Sequence, residues 1–146
     1  MINELFMCVR GGHRAARGEH GALLVKHVDD EALECLAAAL RAPGADPIQP
    51  DDDDEGDDAL YTEVSPLLLE ALAATDEEEL RRVGERWMDL WIADLGTIPA
   101  YRGVVPATAR PTLDGEWGWW PALQRFAALA RAARQRGWSV YLRSVL

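Results

Sequence analysis

The chain has 146 residues, 49% of them apolar, and a formal net charge of -10. A chain near the commonest single-domain length buries roughly 70% of its unfolded surface, so it needs no disulfide or metal staple, and wholesale disorder is excluded. No run of about 18 apolar residues is present to cross a membrane, and no basic stripe with interleaved aromatics is present to hold nucleic acid.

Met1 to Val9 reads as a strand, with Ile2, Leu5, Phe6, Met7 and Val9 apolar and Gly11-Gly12 closing it. Glu4, the late Arg10 and the missing cleavage site argue against a signal peptide. His13 to Gly21 is polar and glycine-punctuated, hence a loop. Gly21 to Val28 is a second candidate strand. Asp29 or Asp30 then caps a helix with Leu33, Leu36, Ala37 and Leu40 at helical spacing, and Pro43-Gly44 ends it.

Residues 46–58 form an acidic loop with eight acids in thirteen positions. Mutual repulsion and a scarcity of apolar side chains predict an extended, mobile segment. Asp51, Asp53, Glu55 and Gly56 match four places of a calcium loop. The twelfth place, which needs a bidentate Glu, is Thr62, so calcium is not expected.

Ala59 to Val64 alternates as a strand, with Leu60, Thr62 and Val64 on one side and Tyr61 and Glu63 on the other. Ser65-Pro66 starts a short helix over 67–73. Thr75-Asp76-Glu77-Glu78 reads as a capping box with Thr75 as the cap. The helix it opens carries the apolar stripe Leu80, Val83, Trp87, Leu90, Trp91 and Leu95, up to Gly96. On its flank, Asp89 and Asp94 read as solvated or paired with Arg86 rather than as an acid/base couple. Residues 97–118 are loop-like, with a brief strand at 101–105. Trp120-Pro121 begins a helix with Leu123, Phe126, Ala127, Ala130 and Ala133 inward, its basic end formed by Arg131, Arg134 and Arg136 and its C-cap by Gly137. Trp138 to Leu146 is a terminal strand, with Trp138, Val140 and Leu142 facing one way and Ser139, Tyr141 and Arg143 the other. A terminus this apolar is expected inside a sheet. The fold expected is α+β: one domain over 1–146, with about four helices on a small, mostly antiparallel sheet that includes the C-terminal strand.

Charge is uneven along the chain. Residues 51–79 carry thirteen acids and no base, whereas the remainder has a net charge of +3. A one-sided charge distribution of this kind steers a partner of opposite sign. The candidate partner-binding residues are therefore Asp51, Asp52, Asp53, Asp54, Glu55, Asp57 and Asp58. Trp117 and Trp119, from the cluster 117–120, join them as aromatic anchors, since Trp is enriched at interface hot spots.

Nothing compels catalysis. His13, His20 and His27 recur every seven residues, but Gly18 and Gly21 interrupt the segment, and a metal site would need a carboxylate or Cys to converge on them. No serine lies in a nucleophile elbow. Cys8 and Cys35 sit among apolar residues, as buried free thiols in a reducing cytoplasm do. No cofactor or metal is expected. There are 23 Ala and 14 Arg against the single Lys26 and Asn3, which marks a GC-rich genome, a statement about codons rather than chemistry.

The C-terminal half resembles short proteins of GC-rich bacteria that have no assigned activity. The shared features are Glu85-Arg86-Trp87 on one helix, Leu123, Leu129-Ala130 and Ala133 on the next, then Gly137 and a strand around Tyr141-Leu142. The chain departs from them at 97–118 and at its Arg143-Ser144-Val145-Leu146 end. Its general style, small and acidic with a closing strand, is similar to immunity proteins that neutralise bacterial toxins. That similarity implies a cytoplasmic inhibitor of a basic partner protein. The alternatives are a Trp-lined pocket for a small molecule, with Tyr101 and Arg102, or a regulatory subunit.

Overall fold

The computed structural model describes residues 2–12, 23–26, 30–42, 45–47, 59–95 and 119–145. In chain order these form β1 (Ile2–Cys8), β2 (Leu23–Lys26), α1 (Asp30–Leu40), β3 (Ala45–Pro47), β4 (Ala59–Val64), α2 (Pro66–Ala74), α3 (Glu77–Leu95), α4 (Trp119–Arg136) and β5 (Ser139–Val145). The architecture is α+β, with four helices among the described residues packed on one antiparallel sheet.

The strand order is β2-β1-β5-β4-β3. The last strand of the chain is therefore central, flanked by β1 and β4. Leu5 pairs with Leu142 and Met7 with Val140 across β1 and β5, and Thr62 pairs with Leu142 across β4 and β5. Side chains alternate across a strand, so this register sets Leu5, Met7, Val140, Leu142 and Val64 on one face. That face packs with Leu33 and Leu36 of α1, Leu68 and Leu72 of α2, Leu80, Val83 and Trp87 of α3, and Leu123 and Phe126 of α4. The main core thus lies among the helices and against one side of the sheet. The other face gathers Phe6, Cys8, Tyr61 and Tyr141 into a separate buried cluster.

Three local features differ from the sequence expectations. Asp46 and Pro47, expected to begin the acidic loop, belong to β3 and pair with Glu63 and Thr62. A proline in a strand is tolerated there because β3 is an edge, where an amide is not required on the outer side. The cap of α3 is Asp76, not Thr75. The Asp76 carboxylate accepts from the Glu79 amide at 2.8 Å, while the Thr75 hydroxyl donates back to the Ala71 carbonyl of α2 at 2.6 Å. Finally, α1 stops at Leu40, before Pro43-Gly44. Arg41 takes φ 57°, and the Ala42 amide reaches the Ala37 carbonyl at 2.9 Å. The same closing pattern ends α4, where Gly137 takes φ 66° and the Trp138 amide reaches the Ala133 carbonyl at 2.8 Å.

Candidate functional site

Glu77, Glu78 and Glu79 occupy the first turn of α3, where the helix dipole favours acids. Glu77, Arg81 and Glu85 recur every four residues, with Glu78 and Arg82 beside them. That spacing sets these side chains on a face turned from the Leu80–Val83–Trp87 stripe. Arg82 pairs with Glu78 at 2.8 Å and with Glu79 at 3.1 Å. Arg86 reaches Glu79 at 3.5 Å and the Ala39 carbonyl of α1 at 3.4 Å.

The start of α4 lies alongside. Its half-buried Trp120 holds the Arg81 guanidinium 5.1 Å from the ring centroid. One turn on, the Gln124 amide donates to the Glu77 carboxylate at 3.1 Å. Position 120 meets 81 and position 124 meets 77, so the two helix segments run antiparallel. Glu77, Glu78, Arg81, Arg82, Glu85 and Trp120 line one open groove between them. It is the place where the described residues bring acids and a tryptophan together.

Further along α4, Arg131 donates to the Ala73 and Thr75 carbonyls at 3.3 and 3.0 Å. These carbonyls belong to the end of α2, whose last acceptors have no partner within their own helix. Arg134 approaches Glu70 at 4.0 Å. The expected role of Arg131 at its own helix end is thus a role at the end of a neighbour.

The second cluster is a different kind of place. Phe6 lies 6.4 Å from Tyr61 edge-on and 6.0 Å from Tyr141 stacked. The Tyr141 hydroxyl accepts from the Gly11 amide at 2.9 Å. Arg10, in the same turn, sits 3.3 Å from the Glu63 carboxylate, whose side chain is 13% exposed. Burial, then the nearby Glu63 charge, pushes the Cys8 thiol pKa up. Burial also raises the Tyr141 phenol, against the downward pull of the Gly11 hydrogen bond. Such a thiol keeps its proton at neutral pH and is a poor nucleophile. The chemistry here is that of a latch holding the β1 turn to β4 and β5.

Asp51, Asp52, Asp53, Asp54, Glu55, Asp57, Asp58 and Trp117 lie outside the described residues, as do His13, His20, His27, Tyr101 and Arg102. Trp119 is the first residue of α4. In sequence, the acidic run lies between Pro47 of β3 and Ala59 of β4. The remaining acids of 51–79 are engaged. Glu63 faces Arg10, Glu70 faces Arg134, Asp76 caps α3, Glu77 meets Gln124, and Glu78 and Glu79 hold Arg82. The Arg81–Trp120 pairing has no signal in the sequence, because residues 39 positions apart meet only through the packing of α3 on α4. In comparison with known proteins, the chain matches no family model, no curated protein sequence and no solved structure.

Proposed function

We propose that the chain is a protein-binding module, an immunity- or antitoxin-like inhibitor acting in the cytoplasm on a basic partner protein. Asp51, Asp52, Asp53, Asp54, Glu55, Asp57 and Asp58 attract the partner, and Trp117 and Trp119 anchor it. One observation carries this reading: the acids of 51–79 that lie on the described scaffold already have partners or capping roles within it. The run from Asp51 to Asp58 adds seven acids in eight residues to a chain whose net charge is only -10. Concentrated charge of one sign speeds encounter with a partner of the other sign and selects among partners.

The test is capture from extracts of the native host, at low and at high salt, on the native chain and on a variant. The variant carries Asp51→Ser, Asp52→Ser, Asp53→Ser and Asp54→Ser. The expected result is a basic protein retained at low salt by the native chain, released by salt, and lost from the variant. Retention of no basic protein, or equal retention by the variant, overturns the reading.

A further inference from the structure

We draw no further inference here: the strongest candidate, the side-chain cluster on the sheet face of Phe6, Tyr61 and Tyr141, where the Nε of half-buried Arg143 and the Oε1 of Glu63 are buried without a hydrogen-bond partner, carries nothing because Glu63 already lies 3.3 Å from Arg10 and nothing among the described residues shows what Arg143 would hold.

Discussion

The Tyr141 hydroxyl accepts the Gly11 amide at 2.9 Å, joining residues 130 positions apart. Tyr141 sits in the central strand β5, and Gly11 in the turn after β1. The bond therefore fixes the exit direction of the first strand by means of the last. Gly11 has φ 86°, a conformation that costs a residue with a Cβ about 1–2 kcal/mol, although no atom stands in the way of one. Tyr141→Phe should destabilise the fold by about 1 kcal/mol, leaving the amide without its acceptor. Gly11→Ala should cost at least as much through backbone strain alone. Urea unfolding followed by tryptophan fluorescence measures both, and a Tyr141→Phe midpoint equal to that of the native chain would show the bond to be idle.

At the junction of α2 and α3, two adjacent residues divide two tasks. The Thr75 hydroxyl closes α2 on the Ala71 carbonyl, and the Asp76 carboxylate opens α3 on the Glu79 amide. Asp76→Ala should cost about 1 kcal/mol, typical of a lost N-cap. Asp76→Asn should retain most of that stability, because its side-chain oxygen still accepts. If Thr75→Ala were instead the costlier substitution, with Asp76→Ala neutral, the cap would belong to Thr75.

That junction shows where sequence reasoning ran out. The capping motif is visible in Thr75-Asp76-Glu77-Glu78-Glu79, but two registers of it overlap, and only the tertiary path of α2 into α3 chooses between them. Strand alternation in 59–64 and 139–145 was legible because a period of two separates apolar Val140 and Leu142 from Tyr141 and Arg143. β3 was not legible: Asp46 and Pro47 are poor strand formers, accommodated at an edge. The charge pattern was legible as sequence but misleading in space. Thirteen acids over residues 51–79 with no base among them look like one continuous negative surface. The fold brings Arg10, Arg82 and Arg134 from elsewhere to meet several of them.

Arg41 and Gly137 hold equivalent positions at the ends of α1 and α4, both with positive φ. Glycine takes this conformation without penalty, whereas arginine bears the strain of its Cβ. Arg41→Gly should therefore raise stability by about 0.5–1 kcal/mol, and Gly137→Ala should lower it by a similar amount. Opposite shifts in thermal midpoint check the pair. A loss of stability in Arg41→Gly would mean that the Arg41 side chain contributes more than its backbone costs.

Stability should fall on the alkaline side, with Cys8 at the origin of the slope. Burial, and then the charge of Glu63, raises the thiol pKa in the folded chain. The folded state then keeps a proton that the unfolded chain releases near its ordinary thiol value, about 8.5. The resulting stabilisation is complete below that value and is lost as pH climbs through the raised folded one. Tyr141, also raised by burial, adds the same sign at higher pH. Glu63 and Tyr141 face the thiol. Urea midpoints measured from pH 7 to pH 10 should decline more steeply for the native chain than for Cys8→Ala. The half-buried Cys35 should meanwhile react with a thiol reagent well before Cys8 does. Parallel slopes in the two proteins, or a Cys8 that reacts first, would show that the thiol is accessible and that the sheet face around Phe6, Tyr61 and Tyr141 does not bury it.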